Sequence, residues 1–261
     1  MKFFTVFGNP ISHSVSPRLH NLALREMGLE GIYTRYRLED GSNLIQKFKE
    51  LKLDGANITV PHKEIALSQC DVVEENALKI GSINTIVLKN GEIYGYNTDA
   101  PGFLRAIKNF GEIRSALILG AGGTAKAIAN ALNSIGVRVT VLNRSQSRLE
   151  NLGEFEKFTW DKFEISDFDL VVNTTSAGLD DESLPAPKEI LEQTLKRAKF
   201  AFDVIYNKPT PFLTLAVSLG ITCKNGADML LHQAVLALNL FYSNELDESE
   251  IEASMRKAFL I

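Results

Sequence analysis

Between a short apolar run, Ser115 to Leu119, and a helical pattern that continues to about Ser134, the chain carries Gly120, Ala121, Gly122, Gly123, Thr124 and Ala125. A glycine-x-glycine-x-x-alanine turn in that place leaves few architectures open. The first glycine permits the tight turn, the second lets backbone approach a pyrophosphate, and the small last residue lets helix and strand pack closely. The helix start offers unpaired N–H groups and a partial positive charge suited to phosphate. The plain alternative is a tight turn with no ligand. The position between strand and helix favours dinucleotide binding.

The rest of the chain agrees with an α/β fold. Short β-branched or aromatic runs alternate with longer helical patterns, as in largely parallel sheets. Strands are expected at Phe3 to Phe7, Ile32 to Leu38 and Gly55 to Val60, with helical periodicity over Ser42 to Leu51. Ile83 to Leu88 and Ile93 to Tyr96 flank Asn90 and Gly91, a type I′ hairpin signal, so the first sheet should carry an antiparallel edge. Pro101 to Asn109 suggests a connecting helix. Val137 to Leu142, Asp169 to Asn173 and Phe200 to Ile205 continue the strand series after the glycine turn. Beyond Met229 the pattern is amphipathic helix. The expected organisation is two domains: residues 1–100 as a substrate-binding domain with a mostly parallel sheet, residues 101–228 as a Rossmann-type domain, and residues 229–261 as helices returning to the first.

Several classes of function are disfavoured. The formal net charge of −4 argues against nucleic acid as a main partner. Two cysteines, Cys70 and Cys223, make no disulfide framework and suit a cytoplasmic protein with free thiols. No signal peptide or bilayer span is evident. His13, His20, His62 and His232 lack zinc-like spacing, so no metal is expected.

Cofactor choice depends on the tip of the second strand of a Rossmann unit, about 20 residues beyond the glycines, where NAD sites place a carboxylate. Here stand Asn143, Arg144 and Ser145, with Arg148 one turn later. Two guanidiniums and a hydroxyl suit the 2′-phosphate of NADP. The alternative is a pair of solvated surface arginines.

Polar clusters also recur at expected strand ends: Ser14 and Ser16; Asn57, Thr59, His62 and Lys63; Asn84 and Thr85; Asn97, Thr98 and Asp99. Each alone is ordinary loop or cap chemistry. Their repetition suggests a pocket outside the carboxyl ends of an open sheet.

Taken in order, these segments resemble the shikimate dehydrogenase family. Residues 8–17 are similar to its substrate loop, residues 57–63 to its lysine motif and residues 97–99 to its aspartate motif. Residues 120–125, 143–145, 173–178 and 203–206 follow in the family's order, so the likeness covers residues 8 to about 235. The resemblance implies Lys63 and Asp99 as the catalytic pair. It implies Ser14, Ser16, Thr59, Asn84, Asp99, Tyr206 and Gln233 at the substrate's carboxylate and ring hydroxyls. Glu75, Gly120, Ala121, Gly122, Gly123, Thr124, Val204 and Gly226 would face the cofactor. The implied reaction is reversible NADPH-dependent reduction of 3-dehydroshikimate to shikimate, in aromatic amino-acid biosynthesis, by a monomer or homodimer. Two departures stand out. Residues 206–211 are one residue shorter than the family's spacing, and Asp228 stands where a second glycine is common. His13, His62 and Trp160 are expected to be structural or incidental. Competing readings are a quinate/shikimate enzyme that also uses NAD, against which Arg144 speaks, and a non-catalytic NADP sensor, against which the Lys63 and Asp99 pair speaks.

Overall fold

A computed structural model describes residues 1–206 and 208–260. The chain divides into two compact units, Met1–Gly102 with the residues from Leu231 onward, and Phe103–Leu230. It passes between them inside one helix and returns inside another.

The first unit is built on a six-stranded sheet of order β2-β1-β3-β5-β6-β4. Its elements are β1 (Lys2–Gly8), α1 (Ser16–Glu26), β2 (Gly31–Arg37), α2 (Leu44–Glu50), β3 (Gly55–Ile58), β4 (Val72–Val73), α3 (Glu75–Ile80), β5 (Thr85–Lys89), β6 (Glu92–Tyr96) and the start of α4 (Asp99–Ala106). β1 pairs in parallel with β2 and β3, whereas β5 runs antiparallel to both β3 and β6. Asn90 (φ 52°) and Gly91 (φ 86°) both take the left-handed conformation that a type I′ turn demands, as the hairpin signal anticipated. The helix expected over residues 42–51 begins later. Asp40 accepts the N–H of Ser42 at 2.8 Å and starts a short 3₁₀ turn before α2. The strand expected to reach Val60 ends at Ile58, and the chain then turns, with His62 N–H on the Thr59 carbonyl at 3.0 Å. The connecting helix starts two residues earlier than expected, which puts Asp99 in its first turn. Phe7, Leu44, Phe48, Ile58 and Ile86 form one core beneath the sheet.

The second unit contains β7 (Ser115–Leu119), α5 (Gly123–Ser134), β8 (Arg138–Asn143), α6 (Gln146–Glu150), β9 (Glu156–Thr159), β10 (Leu170–Asn173), α7 (Lys188–Leu195), β11 (Phe200–Asp203), α8 (Pro211–Ser218) and β12 (Thr222–Lys224). The sheet order is β12-β11-β10-β7-β8-β9, parallel throughout. Counted along the chain from β7 this is the 3-2-1-4-5-6 order of a doubly wound dinucleotide fold. β7 and β10 are buried at every position, the unbroken apolar pattern of central strands covered on both faces.

α9 (Ala227–Phe241) carries the chain back, and α10 (Glu248–Lys257) completes the first unit. Phe241 stacks on Phe4 with ring centroids 4.6 Å apart, and Lys257 pairs with Glu26 at 2.7 Å. No helix among the described residues is long and apolar enough to cross a membrane.

His20 on α1 sets a pH limit on the first unit. It is fully buried and stacked on Tyr33 with centroids 4.1 Å apart, and neither ring nitrogen has a hydrogen-bond partner among the described residues. Burial lowers its pKa from 6.5 to about 3. As pH falls below 6.5 the unfolded chain takes up a proton that the folded chain refuses until about pH 3. Stability contributed by the neutral ring is therefore present above 6.5 and lost on acidification, at about 1.4 kcal/mol per pH unit. By about pH 5 the loss should reach ~2 kcal/mol. His20→Phe keeps an apolar ring and should remove this slope. Denaturant unfolding of both proteins at neutral and mildly acidic pH checks it, and equal losses in the two would rule His20 out as the cause.

Candidate active site

Parallel and antiparallel pairing together bring the first unit's polar clusters to one sheet edge. The carboxyl ends of β1 and β3 lie side by side, with Phe7 in register with Ile58. Because β5 is antiparallel to β3, its first residue, Thr85, sits opposite Asn57. Tyr96, the last residue of β6, sits opposite Thr85. Hence the segments around residues 9–16, 59–63, 84–85 and 97–99 all emerge at the same edge. Asn9 N–H on the Val60 carbonyl at 3.0 Å ties the first two together.

Lys63 and Asp99 form the centre of this cluster. Lys63 Nζ donates to Asp99 Oδ2 at 2.5 Å, and the two side chains are only 11% and 7% exposed. Asn84 Nδ2 donates to the other oxygen, Asp99 Oδ1, at 2.9 Å. Both carboxylate oxygens are thus engaged and the plane of the group is set. Asn84 is itself oriented, since its Oδ1 accepts the Thr98 backbone N–H at 2.7 Å. Gln233 reaches the cluster from α9, with its Oε1 3.4 Å from Asn84 Nδ2. A buried ammonium held by a carboxylate, with amide groups around it, can pass a proton to a neighbouring oxygen and keep its orientation.

Ser14 and Ser16 are buried and their hydroxyls lie 3.3 Å apart. The residue at the cap of α1 is Val15 and makes no side-chain cap, and Ser16 is the first residue of the helix. Thr59 is half-buried, and a Cβ built on Gly8 would stand 2.5 Å from its methyl group. Glu75 is exposed in the first turn of α3 and paired with Lys79 at 2.7 Å. His62 is buried with Nε2 2.7 Å from the Leu38 carbonyl, a structural contact, while His13 is exposed. Trp160 packs against the second unit's core.

In the second unit the carboxyl ends of β7, β8, β10 and β11 lead into Gly120, Arg144, Thr174 and Val204. Gly120 has φ 111°, and a Cβ there would lie 2.6 Å from Thr174 Oγ1. Thr174 in turn donates to the Leu119 carbonyl at 2.7 Å, so β7 and β10 close against each other where the strand order reverses. Gly122 precedes α5 with no side-chain cap, and a Cβ on it would meet nothing within 4 Å. Ala121 is buried, and Gly123 and Thr124 form the first turn. At the β8 tip Asn143 Nδ2 donates to the Ser145 carbonyl at 3.0 Å, leaving Arg144 and Arg148 exposed. A helix start without a side-chain cap at Gly122, an open approach there and two exposed guanidiniums fit an anionic dinucleotide with a further phosphate on its ribose.

Gly226 N–H donates to the Ile205 carbonyl at 3.1 Å, and a Cβ on it would collide with the backbone of Val204. This holds Val204, Gly226 and the start of the Tyr206 loop together. Asn207, within the shortened stretch, lies outside the described residues. Asp228 lies 3.4 Å from Lys224 in the first turn of α9, so its carboxylate is engaged with a cation.

Two family models match the chain: the shikimate dehydrogenase substrate binding domain over residues 6–86, and shikimate / quinate 5-dehydrogenase over residues 105–201. The NADP(+)-dependent shikimate dehydrogenase of Helicobacter hepaticus is 44% identical, over 99% of this chain and 97% of its own. The chain belongs to the shikimate dehydrogenase family. Solved relatives include the Thermus thermophilus shikimate 5-dehydrogenase in complex with NADP(H) and shikimate, at TM-score 0.85 and 35% identity over 99% of this chain and 100% of that one. The Listeria monocytogenes enzyme in complex with shikimate and NAD is more distant, at TM-score 0.79 and 25% identity over 97% and 96%.

Membership in the shikimate dehydrogenase family does not account for every polar group beneath the site. Sequence reasoning gave Tyr33 no role and named Thr85 only as part of a polar cluster. Tyr33 is buried with its hydroxyl 2.7 Å from Asn57 Oδ1, and Thr85 is fully buried between Asn57 and Asn84. A β-strand tyrosine and a strand-start threonine carry no signal of their own. Asp203 was seen only as part of a motif. It is buried and accepts from Thr210 Oγ1, Ile205 N–H and Asn173 Nδ2 at 2.6, 3.0 and 3.1 Å. Burial raises its pKa and the three donors oppose that rise. Its work is to hold the loop that carries Val204 and Tyr206.

Proposed function

We propose that this protein is an NADP-dependent shikimate dehydrogenase, reducing 3-dehydroshikimate to shikimate reversibly. The observation that carries the reading is the buried Lys63 ammonium on Asp99, with Asn84 on the second carboxylate oxygen. In this reading residues 1–100 and 229–261 bind substrate, and residues 101–228 bind the dinucleotide. Cys70 and Cys223, both free thiols, support the cytoplasm as its compartment, and the functional unit is a monomer or homodimer.

NADPH, when bound, supplies the hydride that the carbonyl carbon receives. The chain's own task is to deliver the proton. Lys63 Nζ protonates the carbonyl oxygen as its charge develops, and in the reverse direction takes the proton from the hydroxyl. Asp99 keeps the ammonium aimed, and Asn84 keeps Asp99 in plane. Ser14 and Ser16 hold the substrate carboxylate, while Thr59, Asn84, Asp99, Tyr206 and Gln233 hold the ring hydroxyls or the carboxylate. The start of α5 binds the pyrophosphate, Arg144 and Arg148 the 2′-phosphate, and Glu75, Val204 and Gly226 face the cofactor.

Adding shikimate and NADP⁺ to the pure protein should produce the near-ultraviolet absorbance of NADPH. Quinate at the same concentration should give a much slower rise. NADP binding without any turnover would sink the enzyme reading in favour of a dinucleotide sensor.

A further inference from the structure

We infer that Thr85 is a positioning residue for the proposed reaction, the middle link of a buried hydrogen-bond relay that runs from Tyr33 to Asp99. The inference rests on Lys63 and Asp99 being the reacting pair. Every member of the relay is buried: Tyr33, Asn57, Thr85, Asn84 and Asp99 are each 5% exposed or less.

The direction of each bond follows from the groups available. The Tyr33 hydroxyl lies 2.7 Å from Asn57 Oδ1, an atom that can only accept, so the phenol donates. Asn57 Nδ2 must then donate, and it does so to the Asn84 carbonyl at 3.3 Å and to Thr85 Oγ1 at 3.0 Å. A hydroxyl that accepts there has its single hydrogen free to go elsewhere. Thr85 Oγ1 sits 3.1 Å from Asn84 Oδ1, another acceptor, and donates to it, with the Thr98 hydroxyl 3.3 Å away as a second neighbour. Asn84 Oδ1 is thereby held by three donors: the Thr85 hydroxyl, the Thr98 backbone N–H and, at 3.2 Å, the Thr98 hydroxyl. With its oxygen held on that side, Asn84 presents Nδ2 to Asp99 Oδ1. The relay thus ends on the carboxylate that grips Lys63, although Thr85 touches neither.

The strand geometry explains why a threonine suits this place. Thr85 opens β5 opposite Asn57 on β3, and a β-branched residue fits the pleat while its hydroxyl bridges Asn57 and Asn84. Valine would fit the same space and remove the hydroxyl that joins the two side-chain amides, leaving Asn57 on the Asn84 backbone carbonyl and Asn84 Oδ1 on Thr98 alone.

Three variants test the relay: Thr85→Val removes the hydroxyl at constant shape, Thr85→Ser keeps it, and Tyr33→Phe removes the first donor. Thr85→Val should lower kcat for shikimate oxidation by about tenfold, the scale of one lost hydrogen bond. Its KM for NADP⁺ should stay within about twofold of wild type, because cofactor binding is not involved. Thr85→Ser should recover most of the loss, and Tyr33→Phe should fall between. A merely structural threonine would instead give a lower Tm with unchanged kcat, and that result would overturn the inference. In the ligand-free, nitrogen-15-labelled protein, the Asn84 side-chain amide signals should shift and exchange faster in Thr85→Val and Tyr33→Phe. Unchanged Asn84 signals would overturn the relay whether or not the wild type turns over shikimate. A wild type inactive on shikimate, with Asn84 shifted in both variants, would strike the functional reading and leave the relay standing.

Discussion

Replacing Lys63 with alanine is expected to lower kcat by ~10²–10⁴-fold, the usual contribution of a positioned proton donor. The loss should appear in kcat and kcat/KM alike, because the group acts in the transition state and not in ground-state binding. Shikimate affinity, measured apart from turnover, should change little if Ser14, Ser16 and their neighbours carry the substrate. One complication is foreseeable from burial. Lys63 and Asp99 are 11% and 7% exposed, and removing the cation leaves a carboxylate with little water around it. Breaking such a pair typically costs about 3–5 kcal/mol of stability. The double variant Lys63→Ala with Asp99→Asn removes the unpaired charge. It should recover most of the lost stability and none of the lost turnover. Recovery of turnover along with stability would mean that Lys63 serves folding alone. A single variant with near wild-type kcat would remove Lys63 from the chemistry outright.

How far the sequence revealed this arrangement differs between the two units. In the second, β7 and β10 are continuous apolar runs, and Gly120 must take a positive φ beside Thr174, so a local pattern reported a local necessity. The strands that escaped notice, β4, β9 and β12, are two to four residues long and half-exposed. Short edge strands have too few alternating apolar positions to stand out from loops. In the first unit the hairpin was legible because Asn90 and Gly91 solve a backbone problem that few other residue pairs can. The convergence at the sheet edge was not legible to the same degree. It depends on β5 running antiparallel to β3, which brings Thr85 opposite Asn57 across 28 residues of chain. Lys63, Asp99 and Asn84 stood out as polar residues at expected strand ends, but their roles came from family resemblance, not spacing. Gln233 joins them only because α9 carries the chain back to the first unit. Tyr33 stayed hidden, and Thr85 showed only as one member of a polar cluster, because a buried hydroxyl declares itself only through its partners.

Cofactor choice should rest on Arg144 and Arg148, and NADP should be preferred to NAD. Both guanidiniums are exposed, one at the tip of β8 and the other in α6, and no carboxylate stands at that tip. A hydrogen bond to a charged group is worth ~1.5–3 kcal/mol, and each 1.4 kcal/mol is about tenfold. Two such contacts give a preference on the order of 10²–10⁴. Solvent screening of exposed charges places the expectation near the lower end. With NAD the 2′-phosphate is missing and the arginines gain nothing. Arg144→Asp should act in two ways. It sets a carboxylate against the phosphate of NADP, and it offers a hydrogen-bond acceptor to the ribose hydroxyls of NAD. The ratio of kcat/KM for NADP⁺ over NAD⁺ should fall by at least about tenfold. Salt provides an independent check, because only the phosphate contact is an exposed pairing of charges. Raising ionic strength from about 0.05 to 0.5 M should weaken NADP⁺ binding more than NAD⁺ binding in the wild type, and the difference should shrink in Arg144→Asp. If the wild type uses both cofactors equally well at low salt, Arg144 and Arg148 are ordinary surface residues. Selection between the cofactors would then have to come from contacts other than the β8 tip.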